Sequence, residues 1–189
     1  YQKTPDPEGV IMASELFKQE KFDMLNSIDR IIDRALKNNS FKVYYQPIYS
    51  VENNRFSSAE ALLRLIDEEY GFVPPDLFIP AAEKSGAIHK IGDFVFDEVC
   101  RFLASEEFKE LGVDYIEINL SVAQCMHSDL ADKVLETLNK YGLPSDKINL
   151  EITETAVSYG HNVMQNNLDK LSEAGVSFSL DDYGTGYSN

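Results

Sequence analysis

Apolar residues recur at helical spacing along the first part of the chain. Leu16, Phe22, Leu25, Ile28, Ile31, Ile32 and Leu36 predict one long amphipathic helix, or two abutting ones, from about Met12 to Asn38. Residues 1–10, with two prolines and a glycine, read as a linker. The spacing then shifts to strict alternation. Lys42–Tyr49 (KVYYQPIY) and Ser57–Leu65 (SSAEALLRL) read as strands, and the polar stretch VENNR between them is too short for a parallel crossover. The first strand is therefore expected to run antiparallel to the second.

From there helix and strand patterns alternate. Helices are expected over Pro75–Lys84, with Pro at the start and Gly86 past the end, and over Ile88–Ser105. Two more follow over Ser128–Tyr141, stopped by Gly142 and Pro144, and over His161–Ala174, stopped by Gly175. The intervening strands are Tyr115–Leu120 (YIEINL), Ile148–Thr153 (INLEIT) and Val176–Asp182 (VSFSLDD). Such alternation makes βαβ units and a parallel α/β sheet, either a barrel or a doubly wound sheet. The pattern alone does not choose between them.

Buried parallel strands usually read as continuous apolar runs, and these do not. Ile116, Ile118 and Leu120 oppose Tyr115, Glu117 and Asn119; Ile148, Leu150 and Ile152 oppose Asn149, Glu151 and Thr153; Val176, Phe178 and Leu180 oppose Ser177, Ser179 and Asp181. Each strand thus has an apolar face for helices and a polar face with Asn or a carboxylate near its C-terminal end, where α/β folds place their sites. Carboxylates gathered on one inner face repel one another and lose hydration unless a cation joins them. Glu60, Asn119, Glu151 and Asp181 are accordingly expected to end four successive strands and to form an oxygen-rich site. Donors of this kind, without His or Cys, select hard ions such as Mg²⁺, Mn²⁺ or Ca²⁺.

Composition narrows the classes. The chain has 189 residues, 43% hydrophobic and 26% charged, enough for one sizeable core and one domain. No apolar run approaches a membrane span, and no signal-peptide pattern opens the sequence, so the segment is expected to be soluble and without membrane contact. Cys100 and Cys125 form no CxxC or Cys/His cluster and read as inert thiols in a reducing cytosol. A formal net charge of −15 argues against binding nucleic acid polymers, although bound cations would let one small anionic ligand in.

Each candidate also has a plainer reading. Asn119 beside Ser121 fits a turn or helix cap, and Asp181-Asp182 before Gly184 fits turn chemistry. Glu60 fits a pair with Arg64 along one strand face. Glu117, Asn149 and Glu154 fit solvated or supporting roles, with Glu117 and Asn149 favoured as such. The Gly184-Thr185-Gly186 run lacks the Lys and the spacing of a phosphate-binding loop.

Six ordered motifs outweigh these readings: Tyr45-Gln46-Pro47-Ile48; Glu60-Ala61-Leu62-Leu63-Arg64; Phe78-Ile79-Pro80 with Ala82-Glu83; Ile118-Asn119-Leu120-Ser121; Leu150-Glu151-Ile152-Thr153-Glu154; and Asp181-Asp182-Tyr183-Gly184-Thr185-Gly186-Tyr187-Ser188. Over about residues 40 to 189 the chain resembles the EAL-domain family. The resemblance implies a modified TIM (β/α)8 barrel with an antiparallel first strand, about five of whose eight strands lie in this chain. It divides the sequence into a linker and amphipathic helix over 1–40 and the N-terminal part of the barrel domain over 41–189. It implies hydrolysis of the bacterial second messenger cyclic di-GMP to linear pGpG with two Mg²⁺ or Mn²⁺ ions. By motif position Glu60, Asn119, Glu151 and Asp181 are the expected metal ligands, with Asp181 and Asp182 reaching the second ion. Glu154 is expected to hold the DDYGTGYS loop, and Gln46, Leu62 and Arg64 to touch the ligand.

Glu60, Leu62 and Arg64 share one strand face, and Glu60 and Arg64 lie roughly 13 Å apart, a span suited to a dinucleotide with metal at one end and a guanidinium on phosphate at the other. Two departures from the family stand out. Tyr183 replaces the usual Phe, and the later catalytic Lys, Glu and Gln positions have no counterpart before Asn189. Residues 1–189 alone are therefore expected to be inactive. The competing function is an inactive EAL-type receptor for cyclic di-GMP or a protein partner. The resemblance also implies a cytoplasmic domain and admits a homodimer and an upstream sensory or diguanylate cyclase-like domain.

Overall fold

The helical stripe at the N-terminus forms one helix, α1 (Pro7–Asn38), in a computed structural model that describes residues 7–153 and 162–181, and side chains over 18–152 and 162–180. The helix starts inside the stretch expected to be linker. Ile28, Ile31, Ile32 and Ala35 are buried, the i, i+3, i+4, i+7 set of one face, whereas Phe22 and Leu25 stay exposed. Asn39, at φ 54°, takes the left-handed turn after the helix, a conformation that Asn tolerates.

The strands β1 (Phe41–Ser50) and β2 (Arg55–Asp67) form the expected antiparallel hairpin, with Gln46 opposite Glu60 and Tyr44 opposite Leu62. β2 outruns its expected end and carries a short antiparallel partner, β3 (Gly71–Val73), too brief to show an alternation of its own. At the hairpin's base the carboxylate of Asp67 takes the guanidinium of Arg34 at 2.6 Å and the backbone N–H groups of Glu69 and Tyr70, which ties α1 to the sheet.

Three helices follow: α2 (Pro75–Ser85), α3 (Ile88–Leu103) and α4 (Glu106–Leu111). Pro75 opens the first, and Gly86 at φ 79° ends it as expected. The last was not foreseen, although Ser105 caps it by accepting from the Phe108 N–H. β4 (Tyr115–Leu120) is followed by one capped turn, α5 (Val122–Cys125), and by α6 (Leu130–Lys140). Then come a 3-10 turn (Ser145–Lys147), β5 (Ile148–Thr153), α7 (Asn162–Glu173) and β6 (Ser177–Asp181).

The strand order is β1-β2-β4-β5-β6, with β2, β4, β5 and β6 mutually parallel. This α/β sheet is mixed, with its first strand reversed and its strands following one another in chain order apart from the short β3. The predicted faces are present: Ile116, Ile118, Leu120, Ile148, Leu150 and Ile152 are each 4% exposed or less and join the core under the helices. Each contributes roughly 1.5–3 kcal/mol by burial, so a one-residue slip, which would put Glu117 or Glu151 into that core, is strongly disfavoured. On β6 the match is partial, since Leu180 remains 47% exposed. Burial also raises the thiols of Cys100 and Cys125, to about 12 and about 11, so both are unreactive as expected.

Candidate functional site

The polar face of the sheet is connected by hydrogen bonds from strand to strand. On β2 and β4, Asn119 Nδ2 donates to Glu60 Oε1 at 2.7 Å, and Ser58 Oγ donates to Glu117 Oε1 at 3.2 Å. Between β5 and β6, Asn149 Nδ2 donates to Ser179 Oγ at 2.8 Å, and Ser179 Oγ donates to Glu151 Oε1 at 3.4 Å. The register sets Asn119 directly opposite Glu151, one strand spacing of about 4.8 Å away. Asp181 pairs with Thr153, one layer further along the same face as Glu151 and Ser179.

Glu60, Asn119 and Glu151 thus come together on three adjacent strands, with the backbone of Asp181 on the fourth. Glu60 does not end its strand as expected: β2 continues to Asp67 because β1 and β3 pair with it there, while its parallel ladder with β4 stops at Ala61. The side chain of Asp181, together with Asp182 and Glu154, lies outside the described residues.

Two of the plainer readings now have answers. The cap after β4 is Ser121, which accepts from the Gln124 N–H while the Gln124 side chain accepts from the Ser121 N–H, so Asn119 turns its amide to Glu60 instead. Glu60 bonds Asn119, and Arg64 donates to the Leu63 carbonyl at 2.9 Å. The capping box depends on Gly92 of α3, where a methyl group would lie 2.1 Å from Gln124 Nε2. Gly92→Ala is expected to expel the Gln124 side chain from the box. The lost cap, about 1 kcal/mol, is offset by a similar gain in helix propensity from Ala inside α3, so the readout is the Gln124 side-chain amide resonance, which should shift. An unchanged Gln124 amide resonance would refute that assignment.

Of the two roles expected for Asn149, solvated or supporting, its burial and its bond to Ser179 leave the supporting one. Asn149 is 7% exposed, and its Oδ1 has no hydrogen-bond partner among the described residues. Strand alternation assigned its face but not its depth.

Gln46, Leu62 and Arg64 share the open face with Glu60 and, with Tyr44, Ile66 and Phe72, line a cleft of about 510 Å³. An adjoining groove of about 370 Å³ brings Leu62 and Arg64 together with Asn119, Ser121 and Glu83. Glu83 belongs to a motif that sequence reasoning quoted without assigning it a role. The exposed rings of Tyr44 and Phe72 were also missed: one lies in an otherwise regular alternation, the other on the short β3.

Among the described residues no group of three or more His, Cys, Asp or Glu is placed to hold a metal ion. The described donors are two carboxylates, Glu60 and Glu151, and the Asn119 amide, whose Oδ1 is a hard oxygen donor while its Nδ2 holds Glu60. Their chemistry fits a divalent cation with oxygen ligands.

The sequence model of the EAL domain family matches residues 29–189. The chain belongs to the EAL domain family. It is 35% identical over 162 residues to the signaling protein YkoW of Bacillus subtilis, covering 85% of this chain and 20% of that protein. It is 34% identical over 177 residues to the bifunctional diguanylate cyclase/cyclic di-GMP phosphodiesterase MucR of Pseudomonas aeruginosa, covering 90% and 24% respectively. This EAL chain therefore spans about a fifth to a quarter of the length of these relatives. Among solved structures, the MucR phosphodiesterase in complex with cyclic di-GMP superposes with a TM-score of 0.79 at 34% identity, covering 86% of this chain and 66% of that one. The EAL fold is the TIM-barrel-like architecture to which the sheet described above belongs.

Proposed function

We propose that this EAL domain hydrolyses cyclic di-GMP to linear pGpG in a metal-dependent reaction of bacterial second-messenger signalling, in the cytoplasm. The observation that carries the reading is the oxygen face made by Glu60, where the parallel ladder of β2 with β4 runs out, and by Asn119 and Glu151 near the C-terminal ends of β4 and β5, beside the cleft lined by Gln46, Leu62 and Arg64. The MucR complex supports the ligand class.

In this reading Glu60, Asn119, Glu151 and Asp181 hold a first divalent ion, and Asp181 with Asp182 reaches a second. Mg²⁺ or Mn²⁺ bound there supplies Lewis-acid activation of water and neutralises charge that develops in an in-line displacement at phosphorus. The chain's own part is positional. Asn119 fixes the Glu60 carboxylate by its hydrogen bond, and Gln46 and Leu62 present one wall of the cleft. Arg64 offers a planar donor for the phosphate away from the metal end. Glu154 holds the loop from Asp181 onward. Water adds to phosphorus as one P–O3′ bond breaks, leaving a linear product with a 5′-phosphate.

The test is incubation of the full-length protein that carries this domain, rather than residues 1–189 alone, with cyclic di-GMP and Mg²⁺ or Mn²⁺, with chromatographic separation of the product. Linear pGpG that disappears in chelator is expected. Tight binding without product in either metal would replace the enzyme by the receptor reading.

A further inference from the structure

We propose that Asn149 and Ser179 are positioning residues for Glu151: a relay of two hydrogen bonds sets the rotamer in which Glu151 meets a divalent cation. The inference rests on the metal reading above. Ser179 stands directly opposite Glu151 in the β5–β6 register, and Asn149 is the diagonal neighbour two residues before Glu151. A serine hydroxyl has one proton and rotates to suit its surroundings. Here the Asn149 amide, able only to donate through Nδ2, occupies the Ser179 oxygen at 2.8 Å. The single hydroxyl proton is thereby directed at Glu151 Oε1, 3.4 Å away.

The burial of Asn149 supports a specific task. At 7% exposure an aliphatic side chain would pack without loss, whereas this amide leaves Oδ1 without a partner among the described residues. Its other end is engaged in holding Ser179. Carboxylates that ligate metals rely on such outer partners for their orientation.

The experiment is calorimetric titration of Mn²⁺ into the native polypeptide and its variants. Ser179→Ala and Asn149→Leu are each expected to weaken binding about 10- to 100-fold, and Ser179→Thr, which keeps the hydroxyl, to restore it to within about threefold. In a Glu151→Gln background Ser179→Ala should change the affinity less than about twofold, because the carboxylate it orients is gone. Unchanged affinity in Ser179→Ala would overturn the relay. So would an equal loss in the Glu151→Gln background, which would mark a general disturbance of the sheet. Absence of Mn²⁺ binding by the unaltered protein would overturn the metal reading itself, and the relay with it.

Discussion

Glu60→Ala is expected, on the proposed function, to lower cyclic di-GMP hydrolysis at least about a thousand-fold, because loss of a metal ligand would remove on the order of 4 kcal/mol of transition-state stabilisation. Glu60→Gln separates charge from shape. Its amide oxygen still accepts the bond from Asn119 that Glu60 accepts at 2.7 Å, so a comparable loss in this variant would locate the effect in the negative charge. Both variants should melt close to the parent protein, since Glu60 is half-buried on the polar face of the sheet and takes no part in the hydrophobic core. Turnover within about tenfold of the parent in either variant would remove Glu60 from the site.

The second large effect concerns the fold. Asp67 is 4% exposed, and Arg34 reaches it from α1. Burial by itself would raise the Asp67 carboxyl, but the hydrogen bonds from Arg34 and from the backbone N–H groups of Glu69 and Tyr70 outweigh it and hold the group below its usual value. Asp67→Ala leaves the half-buried guanidinium without its acid and frees two backbone donors. A loss of about 3 kcal/mol is expected, at the low end for a broken buried pair because Arg34 retains some solvent, and the melting temperature should fall by roughly 6–12 °C.

The sign with pH follows from the lowered value. The folded chain binds the Asp67 proton less readily than the unfolded chain. The stabilisation is therefore complete above the unfolded value near about pH 4 and is lost as pH falls through the folded value. Thermal scans of parent and variant should diverge at neutral pH and converge in acid. A gap that persists or widens in acid would contradict the pairing.

Much of this was legible in the sequence, for identifiable reasons. β4 and β5 begin and end where their alternation does, because one face had to meet helices and the other could not. The reversal of β1 followed from a link too short to cross over. β3, α4 and α5 were missed because three, six and four residues carry no usable period, although Ser105 and the Ser121–Gln124 box were present as local signals. Glu60 was misplaced at a strand end because the pattern of β2 shows its faces but not which neighbours pair with it beyond Ala61.

The site divides in the same way. Alternation put Asn119 and Glu151 on one face, and register then set them side by side. Depth was hidden, since a two-residue period distinguishes sides of a sheet but not layers along it. The pattern therefore left Asn149 either solvated or supporting, and only its burial and its bond to Ser179 decide for the second. Likewise, no pattern in the sequence shows that the amide of Asn119 turns to Glu60 while Ser121 takes the cap.

Whether Glu60, Asn119, Glu151 and Asp181 hold one divalent ion between them is decided by soaking crystals of the native polypeptide in Mn²⁺ and mapping the anomalous signal of the ion. The expected result is a peak bounded by Glu60, Asn119, Glu151 and Asp181, at roughly 2.0–2.3 Å from their oxygens. A well-occupied Mn²⁺ elsewhere with none at this face, or none bound at all, would contradict it.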